Sequence, residues 1–254
     1  MVHPQPRQGM RLDEALVARK LFASRSRAAD AVKRGTVRVD GLVITKAGQA
    51  VAPDAVIQVD DPAQTYVSRA ALKLIAGLDH FRIDAKDAVA LDLGASTGGF
   101  TQVLLERGAR QVFAVDVGHG QLHPTLTNDP RVVSLENQNA RDLTKTIFGA
   151  ATPIDLIVSD VSFISLTLAL PRALQIAEPG AKGVFLVKPQ FEAGREAIGK
   201  GGILKDAGEG ERVAERLRAW LDLQPGWVAH GVVPSPIEGG DGNREFLLAG
   251  EKSA

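Results

Sequence analysis

The stretch Leu91-Asp92-Leu93-Gly94-Ala95-Ser96-Thr97-Gly98-Gly99-Phe100 is an apolar run that breaks into a glycine-rich turn and resumes with helical character. Glycine lets a backbone approach a ligand closely, and a helix starting there offers it unpaired N–H groups. The turn suits a nucleotide-bearing ligand, but Gly94, Gly98 and Gly99 do not follow the GxGxxG spacing of dinucleotide enzymes. Asp116 ends the next apolar run, 22 residues after Gly94, where an acid accepts hydrogen bonds from ribose hydroxyls. Asp160 and Lys188 also close apolar runs, and open α/β sheets place their ligands at the carboxyl ends of strands. The chain has no cysteine, which excludes disulfides, thiolate metal sites and a cysteine nucleophile. His119 and His123 stand four apart, a spacing that could suit a metal. No third ligand accompanies them, so no metal is expected.

These residues need a scaffold, and the sequence supplies one. Residues 88–93, 111–116, 132–135, 156–160 and 183–188 read as buried strands, with helices expected over 100–107, 166–176 and 209–221. Residues 227–233 and 245–248 close the chain as two more strands. Alternation of this kind predicts a mostly parallel, doubly wound seven-stranded sheet with helices on both faces. Trp220 and Trp227 are read as core residues.

A separate region precedes Asp60-Asp61-Pro62. Leu12, Leu16, Val17 and Leu21 recur at helical spacing, and Ala28, Ala29 and Val32 mark a second helix with Ser24 or Ser26 as cap and Gly35 as stop. Strands are expected over 36–39 and 42–44 around an Asp40-Gly41 turn, and again over 55–59. Net charge is zero, yet residues 1–61 hold 10 Lys and Arg against 7 Asp and Glu. Between residues 19 and 38, seven cations (Arg19, Lys20, Arg25, Arg27, Lys33, Arg34 and Arg38) face the single Asp30. Local clusters of this kind, not the chain total, attract phosphate. The segment MVHPQPRQGMRLDEAL has no apolar core for a secretory signal, and no stretch is long enough to span a membrane. A cytoplasmic location is expected.

The order Arg11-Leu12-Asp13, Ser24-Arg-Ser-Arg-Ala28, Gly35-Thr-Val-Arg-Val-Asp-Gly41 resembles the αL RNA-binding domain, named after small-subunit ribosomal protein four. The resemblance implies that residues 1–61 form a small α+β module that meets structured RNA through Arg11, Arg19, Lys20, Arg25, Arg27, Lys33, Arg34 and Arg38. Arg69, just beyond the 62–68 linker, would join them. Further along, residues 94–100, Ala114-Val-Asp-Val-Gly118, Gln121-Leu122, Asn139-Ala-Arg141, Asp160-Val-Ser-Phe-Ile-Ser-Leu166 and Lys188-Pro-Gln-Phe-Glu192 together resemble the TlyA family. That family, labelled hemolysin, joins an αL domain to an FtsJ-like methyltransferase domain.

The resemblance implies a Rossmann-like class I methyltransferase over residues 62–254 that takes S-adenosyl-L-methionine and methylates ribose 2′-hydroxyls of ribosomal RNA. The nucleotide implied is cytidine, and the short chain ends suggest the large subunit. Asp92, Gly94 and Gly98 would shape the methionine side of the pocket, together with Ser96, Thr97, Gly99 and Phe100. Asp116 and Val117 would lie at the ribose, and Asn139, or else Asp142, at the adenine edge. A Lys-Asp-Lys-Glu tetrad would comprise Lys73, Asp160, Lys188 and Glu245, Lys73 being visible only through the resemblance. Asp160 would also border the cofactor.

A ribose hydroxyl is a poor nucleophile until its proton is removed, and a lysine with a pKa near ~10.4 cannot accept one. A neighbouring lysine and burial would lower that value while the carboxylates oppose the shift and fix the geometry. Lys188 is thus the candidate base, with Glu245 carried into the pocket by a flexible glycine-rich loop. Glu192 and Arg195 are equally readable as RNA contacts or loop decoration. Ribosomal RNA or a ribosomal subunit is the expected partner, with no obligate protein partner and no membrane. Competing readings are a non-catalytic RNA-binding assembly factor, a membrane-active cytolysin and a base methyltransferase. Turnover, liposome leakage and the residue type Asp160-Val-Ser-Phe163, which lacks the Asn/Asp-Pro-Pro-Tyr/Phe turn of base-modifying enzymes, discriminate among them.

Overall fold

A computed structural model describes residues 9–149, 151–206 and 208–253. The expected absence of a leader falls partly on residues 1–8, outside the described residues. Two compact units divide the chain, Met1–Thr65 and Tyr66–Ala254. The break lies a few residues beyond Asp61 because Arg34 holds the Asp61 carboxylate through two hydrogen bonds of 2.8 and 2.9 Å, and Arg27 reaches the Ala63 carbonyl.

In the first unit, α1 (Leu12–Ala18) and α2 (Arg25–Lys33) bury Leu12, Leu16, Ala28 and Val32 against one another. Ser24 caps α2, its hydroxyl accepting from the Arg27 amide at 3.3 Å. Strands β2 (Val37–Val39), β3 (Leu42–Val43) and β5 (Ile57–Val59) form an antiparallel sheet with β2 at its centre. Asp40 and Gly41 both take positive φ, the geometry that a two-residue hairpin requires. A second ribbon, β1 (Met10–Arg11) with β4 (Ala50–Val51), was not expected. Two-residue strands carry no readable alternation.

In the second unit, β6 (Val89–Leu93), β7 (Gln111–Val115), β8 (Val132–Leu135), β9 (Leu156–Ser159) and β10 (Lys182–Val187) run parallel. With β11 (Trp227–Pro234) and β12 (Phe246–Lys252) they make the order β11-β12-β10-β9-β6-β7-β8, β12 being antiparallel to both neighbours. The central strands β6, β7, β9 and β10 are mostly apolar because both their faces are covered, whereas the edge strands β8 and β11 are largely half-buried or exposed. Leu91, Phe185 and Val187 join one core with Leu217 and Trp227, whereas Ala90, Val184 and Leu186 join another with Leu74, Leu78 and Phe100. Trp220 packs partly buried against the first of these cores. Helices α3 (Ala71–Phe81) and α4 (Gly99–Glu106) contribute to the second core, and α7 (Pro171–Ile176) and α8 (Glu209–Asp222) to the first. Short helices α5 (Pro124–Thr127) and α6 (Leu166–Ala169) complete the unit. The single helix expected over 166–176 is thus two, because Pro171 has no N–H to continue α6 and instead takes the first turn of α7. Among the described residues no helix is long and apolar enough to cross a membrane, and no cluster of His, Asp and Glu could hold a metal.

Candidate functional site

The parallel strands end together, and a cleft of about 420 Å³ opens where β6, β7 and β9 stop. Gly94, Ser96, Asp116, Val117, Asn139 and Asp160 are among its lining residues. Gly94 has φ +78°, and a Cβ there would stand 3.0 Å from the Val161 backbone. The turn after β6 therefore lies against the loop after β9 with no room for a side chain. The Asp116 carboxylate joins two loops, accepting from the Ser96 amide at 2.8 Å and the Gly118 amide at 2.7 Å. A carboxylate has about four acceptor positions, so two remain for further donors. Asn139 caps a 3₁₀ turn, its side-chain oxygen accepting from the Arg141 amide at 3.0 Å. Asp142, the alternative at the adenine edge, is exposed and is not part of the cleft lining.

Two expected cofactor residues face elsewhere. Asp92 is fully buried beneath the turn and accepts a hydrogen bond from the Thr101 hydroxyl at 2.7 Å, tying β6 to α4. Its Oδ1 has no partner, and burial pushes the carboxyl up to about 7, Thr101 opposing. A Cβ on Gly98 would fall 2.2 Å from Leu126 Cδ1, so this glycine packs against the leucines of the following segment and not the cleft. Thr97, Gly99 and Phe100 border a smaller polar pocket of about 140 Å³, together with Ser68, Ser162 and Lys188. Gly94, Ser96, Asp160 and Ser162 line both spaces, which meet there.

Four charged residues near that junction form two ion pairs, of which Asp160 and Lys188 line the smaller pocket, whereas Lys73 and Glu245 are buried and line neither space. Lys73, on α3, is 5% exposed and pairs with the buried Glu245. Lys188 stands 2.7 Å from Asp160 Oδ1, but its aligned hydrogen bonds go to Ser162 Oγ at 2.7 Å and the Asp160 carbonyl at 3.3 Å. Burial raises the Glu245 carboxyl, while the Lys73 charge, and less strongly that of Lys188, opposes the rise. Sheet register explains the assembly. Val187 pairs with Phe246 in the antiparallel β10–β12 ladder, which sets the next residues outward, Lys188 and Glu245, opposite each other. Lys73 comes from the helix face that touches the sheet, one turn before Gly77, where a Cβ would stand 2.8 Å from Val184. The loop before Glu245, expected to be flexible, is anchored by buried Asn243, which donates to the Gly202 carbonyl at 2.8 Å and accepts from the Leu204 amide at 3.2 Å.

Sequence reasoning missed the most conspicuous side chain at the mouth. Phe163 is 89% exposed, has φ +65° and packs on Phe191 with ring centroids 5.0 Å apart. An exposed phenylalanine in left-handed backbone is strained without compensating burial, a combination that clusters at functional sites. Its signal is a backbone angle, which no sequence pattern displays. Gln121 and Gln138 also line the cleft. Neither histidine is placed for a metal: His119 pairs with Glu136 at 2.8 Å and His123 caps α5.

In the first unit the basic residues divide. Lys20, Arg25, Lys33 and Arg38 are exposed. Arg34 leaves the candidate surface, since it is largely buried and paired with Asp30 and Asp61. Arg19 donates to the carbonyls of Pro53 and Ala55, and Arg11 and Arg25 share Asp13, whose carboxyl Arg11, then Arg25, hold down to about 2. The local charge window overcounted because acids outside it fold back onto the arginines. Arg69 lies just before α3, in the second unit.

The model of FtsJ-like methyltransferases matches residues 66–252, and that of the S4 domain matches residues 10–57. The 16S/23S rRNA (cytidine-2′-O)-methyltransferase TlyA of Mycobacterium tuberculosis is 46% identical over 94% of this chain and 88% of that protein. Hemolysin A of Brachyspira hyodysenteriae is 41% identical over 94% of this chain and 98% of its own. Among solved structures, a hemolysin-named protein from Streptococcus thermophilus superposes with a TM-score of 0.74 at 40% identity, covering 97% of this chain and 90% of that one.

Proposed function

The chain belongs to the TlyA family of FtsJ-like methyltransferases with an N-terminal S4 domain, and on that premise we propose that it methylates the ribose 2′-hydroxyl of a cytidine in ribosomal RNA. The observation that carries the reading is the meeting of the cleft with the smaller pocket at Asp160 and Ser162, the two residues against which Lys188 Nζ stands. The cleft offers what S-adenosyl-L-methionine requires: a glycine turn with no space for a Cβ, an acid with acceptor capacity for ribose, and an amide-lined end at Gln138 and Asn139. Bound there, that cofactor supplies an electrophilic methyl group on a sulfonium.

The chain's own residues do the rest. The acceptor ribose enters the smaller pocket, where Lys188 Nζ is placed to take the 2′-hydroxyl proton and so free the oxygen for the methyl group that the cofactor would supply. Asp160 and Ser162 hold Nζ from two sides, and the Lys73–Glu245 pair braces the wall behind it. Fixing the reacting atoms in this way converts binding into rate. Phe163 offers a face for the target base. Residues before Thr65 serve as the RNA-holding module, through the exposed Lys20, Lys33 and Arg38, and a ribosomal RNA substrate implies a cytoplasmic protein.

Tritiated methyl transfer from S-adenosyl-L-methionine onto purified ribosomal subunits and naked ribosomal RNA tests the proposal. Wild-type protein should label one nucleotide, and Lys188→Ala should lose at least ~100-fold in rate while binding cofactor within a few-fold. Undiminished transfer by Lys188→Ala would remove the assigned base. Absence of transfer to any ribosomal RNA would overturn the reading.

A further inference from the structure

The loops after β9 and β10 carry the groups nearest the proposed acceptor site, and they are joined at both ends. At one end Lys188 Nζ donates to Ser162 Oγ at 2.7 Å. At the other, Glu192 receives two hydrogen bonds across the gap, from the Ser165 hydroxyl at 2.6 Å and the Leu166 amide at 2.7 Å. Between them lie the touching rings of Phe163 and Phe191. Glu192 is itself held in place, since Arg216 of α8 donates to its carbonyl at 3.0 Å. Burial raises its carboxyl, opposed by Ser165, Leu166 and Arg216. These contacts are internal, so Glu192 is committed to the fold and not to RNA.

We infer that Glu192 is a positioning residue for methyl transfer, closing the far end of a clamp that holds Ser162, Phe163 and Lys188 in working geometry. The inference rests on the methyl-transfer reading. α6 has only four residues, too few to fix the preceding loop by its own hydrogen bonds. Its first N–H groups need acceptors, and Glu192 supplies one from the neighbouring loop while Ser165 supplies another to Thr167 at 3.2 Å. Phe163 keeps its left-handed φ of +65° only while its surroundings determine it. Releasing the Glu192 end leaves Phe163 free to relax and Ser162 free to draw away from Lys188. Misplacement by about an ångström costs on the order of a hundredfold in rate.

Glu192→Ala, Glu192→Gln and Ser165→Ala would be compared with wild type in the full chain. Glu192→Gln keeps an acceptor for the Leu166 amide and a group to meet the Ser165 hydroxyl. Expected are a fall in kcat of roughly 10- to 100-fold for Glu192→Ala, with cofactor Kd and RNA KM within about threefold, a smaller fall for Ser165→Ala, and recovery in Glu192→Gln. Amide hydrogen exchange over residues 161–167, read without RNA, should accelerate in Glu192→Ala and not in Glu192→Gln. Unchanged kcat in Glu192→Ala, or equal losses in the alanine and glutamine variants, would overturn the role. The exchange arm reports on the clamp even if wild-type protein labels no ribosomal RNA, an outcome that would count against the functional reading alone.

Discussion

Replacing Asp92 with asparagine isolates the buried carboxyl beneath the glycine turn. Asparagine keeps the acceptor for the Thr101 hydroxyl and places a neutral group where Oδ1 has no partner. Burial, ahead of the repulsion from Asp160 and Asp116, lifts the acid from its usual 3.8 to about 7. A carboxyl raised on folding favours the folded state below its unfolded value, and that advantage is lost as pH rises through the folded value. The gap of about three pH units, at ~1.4 kcal/mol each, amounts to roughly 4 kcal/mol in full. Most of it disappears between about pH 4 and 7, so wild-type stability should fall over that range by a component the asparagine variant lacks. From pH 5 to pH 8 the stability of Asp92→Asn relative to wild type should therefore rise by about 2–3 kcal/mol. In a unit of this size that is a relative gain of roughly 5–10 °C in Tm. Urea titrations at both pH values, followed by tryptophan fluorescence, give the comparison, because Trp220 and Trp227 both lie in the second unit. A difference between variant and wild type that is the same at pH 5 and pH 8 would refute the reasoning.

Lys73→Met should destabilise the second unit by about 3–5 kcal/mol by stranding buried Glu245, and adding Glu245→Leu should recover much of that stability without restoring methyl transfer; urea melts and transfer rates on the same samples check both. Gly94→Ala should weaken S-adenosyl-L-methionine binding at least ~10-fold by calorimetry, because its φ of +78° and the Val161 backbone at 3.0 Å leave the new methyl no place. Lys252→Met should cost about 1–3 kcal/mol in a denaturation assay, since the ammonium donates to the carbonyls of Leu174, Gln175 and Ala177 at the end of α7.

Strand positions in the second unit were legible because β6, β7, β9 and β10 are buried on both faces and read as nearly continuous apolar runs, while the half-buried edge strand β8 carries an exposed serine. The glycine turn, Asp116, Asp160 and Lys188 were legible for the same reason, each standing where such a run stops. Lys73 and Glu245 were not, except through family resemblance. Their meeting depends on the β10–β12 register and on how closely α3 approaches the sheet at Gly77, which are tertiary facts. Asp92 and Gly98, expected to shape the methionine side of the pocket, lie beneath the turn and against the leucines beside it, a distinction that strand and turn patterns do not display. Arg34 was misread because Asp61, outside its charge window, folds back to pair with it. Phe163 and the Glu192 clamp lie in loops, where neither the period of two nor the period of 3.6 applies.

The most direct test asks where on the nucleotide the methyl group goes. Ribosomal RNA labelled with tritiated methyl groups by the wild-type protein would be hydrolysed in alkali and its products separated. Transfer to a ribose 2′-oxygen blocks cleavage at the next phosphodiester, so the label should appear in a single alkali-stable dinucleotide with cytidine on its 5′ side, and Lys188→Ala should yield none. Label released in a mononucleotide would place the methyl group on a base and contradict the assignment of the pocket beside Lys188 to the ribose.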